Sequence, residues 1–140
     1  MFTYQTKVKL HDTDAAGVIF FANQFKMVHD AYETMLESIG CGFDEIIRNK
    51  DYFFPIVHAE GDYKAPLHVG DPIEIQVKIE KIGQTSFIFS YTLLNPKQEI
   101  VGTARTVHVA VNKKTYTKIP IPPDVRAKLE KLHQQDKSKR

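Results

Sequence analysis

The chain has 140 residues, of which 42% are hydrophobic and 26% charged, so it forms one domain with a sizeable core. Its single cysteine, Cys41, excludes an intramolecular disulfide framework and a multi-cysteine zinc or iron–sulfur site. The longest stretch without Asp, Glu, Lys or Arg has 15 residues, fewer than the ~20 apolar residues of a membrane-spanning helix. The N-terminus lacks the basic-then-apolar order of a signal peptide, so we expect a cytoplasmic protein without membrane insertion.

The net charge of +2 conceals a basic C-terminus. Residues 126–140 carry six basic and two acidic groups, whereas residues 1–125 carry 13 basic and 15 acidic groups. Such a terminus is typical of a solvated end, and the rest of the chain offers no basic stripe that would extend it into a nucleic-acid surface. We therefore predict no nucleic-acid partner. We divide the chain into a domain of residues 1–122 and a short C-terminal helix with a basic tail at residues 123–140.

Hydrophobic periodicity predicts a strand, one long helix and four further strands. Residues 2–10 alternate between apolar and polar side chains, as a half-buried strand does. From Asn23 to Ile39 the apolar side chains recur at helical spacing, with Asn23 as the predicted N-cap and Gly40 at the predicted end. Four extended segments follow, at residues 53–63, 73–82, 84–94 and 99–112. Short turns join the last three into a predicted antiparallel meander.

This order of elements indicates an α+β protein. One amphipathic helix and a five-stranded antiparallel sheet bury their apolar faces by packing against each other, so we predict that the sheet wraps around the helix. This is the hotdog fold, and it fits the pattern better than a ferredoxin-like fold, which needs two helices of similar weight. The sheet keeps an open edge strand, and pairing two such edges predicts a homo-oligomer.

The junction between the first strand and the helix carries the most chemistry. Residues 11–23 read His-Asp-Thr-Asp-Ala-Ala-Gly-Val-Ile-Phe-Phe-Ala-Asn. Asp12 and Asp14 lie two residues apart, so in an extended chain both carboxylates point the same way. The small residues after them let a ligand approach the backbone, and the N–H groups at the helix N-terminus favour developing negative charge. A carboxylate that attacks or deprotonates water, opposite amides that stabilise an oxyanion, suits acyl chemistry, while either Asp equally suits a turn cap.

This junction and the helix after it resemble the 4-hydroxybenzoyl-CoA thioesterase family of hotdog proteins. The similarity rests on Asp-Thr-Asp-Ala-Ala-Gly-Val-Ile-Phe-Phe, Asn-Gln-Phe and His-Asp-Ala-Tyr-Glu, and on residues 58–71, which end in a Pro turn and Gly-Asp. It covers roughly residues 3–120 and implies an acyl-CoA thioesterase that needs no cofactor. It also implies that Asp14 is the catalytic carboxylate, as nucleophile or general base, and that the backbone N–H of Phe21 polarises the thioester carbonyl. The family's active sites lie at subunit interfaces, which implies a homodimer or a homotetramer built from dimers.

Phe20 and Phe21 distinguish this chain from the short-chain acyl-CoA thioesterases of the family, which carry a His at the second position. The aromatic pair is more similar to the 1,4-dihydroxy-2-naphthoyl-CoA thioesterases of quinone biosynthesis, which implies an aromatic acyl group. Three alternatives stay open at this point. They are a short-chain acyl-CoA thioesterase, a catalytically silent acyl-CoA-binding hotdog protein, and a hotdog dehydratase that would use His11 with Asp14.

Further residues are candidates for binding the two ends of an acyl-CoA. We predict that the acyl group contacts Phe20, Phe21, His58 and Tyr63, with His58 reaching a ring hydroxyl. The CoA phosphates need cations near the mouth of a groove. The candidate cations are Lys64, Arg105, Lys113 and Lys114.

Two other groups of polar residues have simpler interpretations. His58, Glu60 and Asp62 alternate along one strand, but such a trio is more typical of a polar interface than of a metal site, so no metal is predicted. His29 and Glu33 lie four residues apart on the predicted helix and are expected to form an i,i+4 pair.

Overall fold

A five-stranded antiparallel sheet wraps around one long helix in the computed structural model, which describes residues 1–19 and 22–138. The predicted α+β architecture is therefore confirmed. In chain order the elements are β1 (Phe2–Lys7), a 3₁₀ turn (Leu10–Asp12), α1 (Asn23–Ser38), α2 (Phe43–Asn49), β2 (Tyr52–Phe53), β3 (Ile56–Tyr63), β4 (Pro72–Ile82), β5 (Ser86–Leu94), β6 (Ile100–Val109), β7 (Val111–Asn112) and α3 (Pro123–Ser138).

The strands of the large sheet lie in the order β1-β4-β5-β6-β3, so β1 and β3 form its edges. All neighbouring strands are antiparallel, and β4, β5 and β6 form the predicted meander. The two short strands β2 and β7 pair separately. Among residues 1–19 and 22–138 neither edge has a second partner strand, so each leaves a row of backbone groups available for pairing with another chain.

The core lies between α1 and the inner face of the sheet. Strict alternation along β4 and β5 turns every second side chain inward, and the apolar side of α1 meets these side chains. Burying each large apolar side chain contributes roughly 1.5–3 kcal/mol, so this contact dominates the stability of the fold. The fully buried large side chains of these three elements include Tyr32, Met35, Leu36, Ile73, Ile75, Phe87, Phe89, Tyr91 and Leu93.

The register of β3 on β6 decides which of its residues face α1. Ala59 lies opposite Thr106, and Glu60 lies opposite Arg105. Paired residues of antiparallel strands project to the same face, and successive residues alternate between faces. Thr106 is buried, so Ala59 shares the helix side of the sheet, whereas Glu60 and His58 lie on the opposite side.

The clearest differences from the predicted elements are a short helix after α1 and the end of the last long strand. Residues 43–49 form α2, a short helix in a stretch whose pattern indicates no element. The strand predicted over 99–112 is interrupted at Ala110, because its N–H donates to the Thr85 carbonyl and its own carbonyl accepts from Ile119. Beyond this residue the chain leaves the large sheet and β7 pairs with β2.

The C-terminal helix α3 is longer than predicted and contains four of the six basic residues of the segment 126–140. It runs to Ser138 and buries Val125 and Leu129. Arg126 at its start donates to the carbonyl oxygens of Gly83 and Gln84 in the β4–β5 turn. The basic C-terminus is therefore largely a packed helix. None of the helices in residues 1–19 and 22–138 combines the length and apolar character needed to cross a bilayer.

Candidate active site

Asp14 lies in an exposed tight turn formed by residues 14–17. One carboxylate oxygen, Oδ1, accepts the N–H of Ala16 at 2.9 Å, and the Asp14 carbonyl accepts the N–H of Gly17 at 3.0 Å. Gly17 has a φ of 76°, a conformation that favours glycine. The Oδ2 atom accepts no hydrogen bond from the described residues. Asp14 thus shapes the turn with one oxygen and leaves the other free to act on a bound molecule.

Asp12 has a different environment. Its carboxylate is buried, its Oδ2 accepts the Lys9 N–H at 2.9 Å, and its Oδ1 lies 4.0 Å from Lys26 Nζ. The prediction that both carboxylates point the same way is wrong, because residues 10–12 form a 3₁₀ turn and not an extended chain. His11 lies 3.5 Å from Asp12, so the structure pairs it with the structural carboxylate and not with Asp14.

The first turn of α1 holds the carboxylate segment in place. Asn23 belongs to the helix, which the predicted N-cap role does not allow, and its Nδ2 donates to the Asp12 carbonyl at 2.9 Å. Ala22 occupies the cap position, and no described side chain caps the helix. The first N–H groups of a helix have no intrahelical acceptor, so this end of α1 can stabilise negative charge. Phe20 and Phe21 lie outside the described residues, and their roles stay predictions.

Gln24 fixes the start of α1 on the sheet. It is buried, and its Nε2 donates to the carbonyl oxygens of Asp62 and Thr103 at 3.2 and 3.3 Å. A Cβ on Gly102 would lie 2.8 Å from Gln24 Oε1, so this glycine leaves room for the amide. The helix terminus is therefore held against β3 and β6. Nothing in the hydrophobic pattern indicates this role.

A cavity of about 280 Å³ opens between α1 and the β3 edge. Lys26 belongs to its wall and also approaches Asp12, so the cavity lies at the same end of α1 as the Asp14 turn. Its wall combines apolar side chains with a few polar ones. The lining residues are Phe25, Lys26, Val28, His29, Ile56, Ala59, Tyr91 and Thr106.

A buried chain of polar groups starts in the cavity wall. The Tyr91 hydroxyl lies 2.8 Å from Thr106 Oγ1, which in turn lies 2.8 Å from His108 Nε2. His108 is fully buried and stacked between Tyr32 and Phe87, with ring centroids 4.3 and 5.1 Å away. Burial, with a smaller effect of His29, lowers the pKa of His108 to about 3 and keeps the imidazole neutral. The sequence analysis did not identify this polar network. Thr106 and His108 occupy inward positions of an alternating strand, and polar residues at such positions indicate buried hydrogen bonds.

The predicted acyl contacts on β3 lie on different faces. His58 is on the sheet face opposite α1, where its Nε2 lies 3.4 Å from Glu60 Oε1, so it does not line the cavity. Successive side chains of a strand point to opposite faces, and His58 precedes Ala59, which faces α1. Tyr63 lies opposite Gly102 at the end of β3, on the same side as Ala59. His29 and Glu33 form the predicted i,i+4 pair at 3.1 Å.

Two of the predicted CoA-binding cations have structural partners. Arg105 Nε donates to Glu80 at 2.7 Å and its Nη1 to Glu60 at 3.2 Å, and these hydrogen bonds raise the pKa of Arg105. Lys113 Nζ donates to three backbone carbonyls near the end of α2, at 2.6 to 2.8 Å. Each side chain thus holds parts of the fold together. The carbonyls bound by Lys113 are those of Ile46, Ile47 and Lys50.

The four predicted cations also fail to form one cluster within the chain. Lys64 follows β3, and its N–H donates to the Val101 carbonyl at the start of β6. Lys113 and Lys114 lie beyond the other end of this ten-residue strand, which is about 30 Å long. Lys64 is the candidate at the end of the sheet where Gln24 and the start of α1 are fixed.

Comparison with known proteins gives consistent matches. Residues 8–129 match the Thioesterase-like superfamily. A 1,4-dihydroxy-2-naphthoyl-CoA hydrolase from Rippkaea orientalis is 38% identical over 120 residues, which is 84% of this chain and 87% of that protein. A solved 1,4-dihydroxy-2-naphthoyl-CoA thioesterase from Synechocystis is 32% identical with a TM-score of 0.87, over 94% of this chain and 96% of that one. A solved gentisyl-coenzyme A thioesterase is 31% identical with a TM-score of 0.82, over 91% of this chain and 98% of that one.

Proposed function

Because the chain belongs to the thioesterase-like superfamily, we propose that it hydrolyses 1,4-dihydroxy-2-naphthoyl-CoA or a closely similar aromatic acyl-CoA to the free acid and CoA. The resemblance predicted from the sequence is confirmed, and the chain is a CoA thioester hydrolase. The similar proteins named above act on acyl groups with two ring hydroxyls, which supports an aromatic substrate here.

The observation that carries the proposal is the exposed Asp14 carboxylate, two residues after Asp12, whose carbonyl accepts from Asn23 at the uncapped start of α1. As a general base, Asp14 takes a proton from water, whose oxygen adds to the thioester carbonyl carbon. The C–S bond then breaks, and the CoA thiolate leaves and takes up a proton. As a nucleophile, Asp14 forms a mixed anhydride with release of CoA, and water then hydrolyses the anhydride. In both routes the N–H groups at the start of α1 would stabilise the oxyanion, together with the backbone N–H of Phe21 that the family resemblance implies.

We also propose that two copies pair through β3 and complete the site at their interface. β3 is an edge strand, and it exposes Ile56, Val57 and Tyr63. Since Ile56 and Ala59 also line the cavity, a second copy on this edge would close its open side. A homodimer is thus the proposed minimum, and a homotetramer would pair two such dimers. Among the predicted cations, Lys64 is the one that we propose for the CoA phosphates.

The cysteine supports the proposed cytoplasmic location. Cys41 is buried and unpaired, and a chain without disulfides is typical of a reducing compartment.

The substrate proposal is tested with a panel of acyl-CoA esters and a dye that traps the released thiol. We expect a higher kcat/KM for 1,4-dihydroxy-2-naphthoyl-CoA and benzoyl-CoA than for butyryl-CoA. Aromatic contacts contribute roughly 0.5–1.5 kcal/mol each, so the preference per contact is graded, about threefold to tenfold. A preference for butyryl-CoA would identify a short-chain thioesterase, and no turnover of any ester would identify a silent binding protein. Hydration of an enoyl-CoA would instead identify a dehydratase.

A further inference from the structure

The cavity beside α1 has hydroxyl groups in its most buried wall. Tyr91 and Thr106 both line it and are only 2% and 3% exposed. A buried hydroxyl is unfavourable unless it forms hydrogen bonds, and apolar side chains of similar size would line an apolar pocket without this penalty. Tyr91 and Thr106 bond to each other, so the hydrogen-bonding capacity that remains at this wall decides which ligand group it can recognise.

The hydrogen bonds that link Tyr91, Thr106 and His108 leave part of the hydrogen-bonding capacity of the Tyr91 hydroxyl unused. The Tyr91–Thr106 and Thr106–His108 contacts, each 2.8 Å, use both sides of the Thr106 hydroxyl. If the protons run from Tyr91 towards His108, the Tyr91 oxygen keeps free lone pairs. If they run the other way, Tyr91 keeps a free O–H donor. Burial raises the pKa of Tyr91, so it stays a neutral phenol in either case.

We propose that Tyr91 and Thr106 recognise a ring hydroxyl of the aromatic acyl group, and that His108 is the positioning residue that orients them. This inference rests on the proposed function and adds the residues that select its substrate. None of them was a candidate from the sequence.

A phenolic hydroxyl is the group that fits this wall. It both donates and accepts, so it can bond to Tyr91 whichever way the protons of the chain run. An aliphatic acyl chain or an unsubstituted ring would leave the buried Tyr91 hydroxyl without that bond. At about 280 Å³ the cavity is slightly below the usual range of about 300–1,000 Å³ for whole ligands, so it suits the acyl part of a CoA ester.

The aromatic rings around His108 hold the hydrogen-bonded groups of Tyr91, Thr106 and His108 in fixed positions. Phe87 is nearly parallel to its ring, at an interplanar angle of 6°, and Tyr32 stacks on it at 26°. Phe89 meets the same ring edge-on at 5.5 Å. Since the imidazole cannot turn without displacing these rings, its Nε2 holds the Thr106 hydroxyl in one place. Thr106 in turn fixes the hydroxyl of Tyr91.

The test compares 1,4-dihydroxy-2-naphthoyl-CoA with 2-naphthoyl-CoA, which lacks the hydroxyls. We expect the wild type to favour the hydroxylated ester in kcat/KM by about 10- to 100-fold, the discrimination expected when a buried partner is left unpaired. Tyr91→Phe should bring this ratio close to one. Thr106→Val and His108→Phe should reduce it at least threefold. A general structural defect would slow both esters alike and leave the ratio unchanged.

Tyr32→Phe is the matched control, because it removes a buried hydroxyl from the same aromatic cluster outside the cavity wall. The kcat/KM ratio of the two esters should be the same in Tyr32→Phe as in the wild type. Calorimetric binding of the free acids, 1,4-dihydroxy-2-naphthoate and 2-naphthoate, repeats the comparison without catalysis. Equal affinity of the wild type for both acids, or an unchanged preference in Tyr91→Phe, would overturn the inference. Absence of aroyl-CoA hydrolysis would instead refute the proposed function, while the binding comparison would still decide the role of Tyr91.

Discussion

Asp12 and Asp14 are the same residue type two positions apart, and their surroundings give them opposite roles. Asp12 is buried and accepts the Lys9 N–H, which ties the 3₁₀ turn together. Asp14 is exposed and leaves one oxygen without a protein partner among the described residues. A carboxylate acts on a substrate only if the substrate can reach it. The local turn, and not the residue type, therefore separates the structural Asp from the proposed catalytic one.

We expect Asp14→Asn to lower kcat/KM on the best aroyl-CoA by at least about 100-fold, the scale of losing a positioned base or nucleophile. Its free energy of unfolding should change by less than about 0.5 kcal/mol, because Asn keeps an acceptor for the Ala16 N–H. Asp12→Asn should lose about 1–2 kcal/mol of stability and much less activity, because position 12 is buried and the amide there loses the charge that attracts Lys26. Steady-state kinetics and urea unfolding of both variants check this. Similar behaviour of the two variants would contradict it.

His108 predicts a pH dependence of stability. Its pKa is lowered from 6.5 to about 3 in the folded protein, so the unfolded chain binds a proton that the folded state does not. The free energy of unfolding should therefore fall as the pH decreases from about 6.5 towards 3, by up to about 1.4 kcal/mol per pH unit from this group. Urea unfolding at pH 7, 6, 5 and 4 measures the slope.

His108→Phe is the control for that slope, because Phe suits the slot between Tyr32 and Phe87 and does not titrate. The wild type should lose stability faster than this variant as the pH falls. Parallel slopes for the two proteins would show that His108 titrates normally.

At the scale of elements, Lys113 joins α2 to the strand pair β2–β7. Its ammonium group binds three carbonyls near the C-terminus of α2, where orphan carbonyls and the helix dipole favour a cation. The chain separation between residues 46–50 and Lys113 makes this contact long-range. A lysine just past a strand looks like a free surface charge until the helix that it caps is known.

We expect Lys113→Met to destabilise the protein by about 1–2 kcal/mol and to leave the KM for the acyl-CoA within about twofold. Lys114→Met is the matched control, because no hydrogen bond of the Lys114 side chain is found among the described residues, and its stability should equal that of the wild type. Thermal unfolding and KM values compare the two. A large rise in KM for Lys113→Met at unchanged stability would show that Lys113 binds CoA and does not mainly stabilise the fold.

At the scale of the whole molecule, the β3 edge is the surface on which the proposed site depends. It carries apolar side chains that a monomer would leave in water, and it borders the cavity. A soluble monomer usually protects such an edge with charges, bulges or a covering element. β3 has a register shift between Ile56 and His58, but the exposed side chains of Ile56 and Val57 favour pairing with a second copy.

We expect sedimentation equilibrium to give a mass of at least twice 16.0 kDa at micromolar concentration. Val57→Lys should shift the protein towards one chain and lower its activity, since the cavity would lose its closing partner. Ile47→Lys, which places the same charge at an exposed apolar residue of α2, should leave the mass unchanged. A wild-type mass near 16.0 kDa would rule out the interface.

The sequence by itself determined the architecture and the position of the proposed catalytic carboxylate. The alternation along 73–82 and 84–94 and the helical spacing from Asn23 are local properties of the backbone, so they predict strands and a helix without knowledge of their neighbours. The turn at 14–17 is equally local, because Asp14 accepts hydrogen bonds from Ala16 and Gly17 and Gly17 supplies the positive φ.

Only the tertiary structure decided which distant residues meet. The register of β3 on β6 placed His58 on the far face and Ala59 in the cavity wall, and a shift of one residue would exchange them. The contact of Lys113 with α2 and the alignment of Tyr91, Thr106 and His108 on two strands likewise depend on packing between segments far apart in the chain. Periodicity indicates that a side chain points inward, whereas its partner is set by the strand order and register of the sheet.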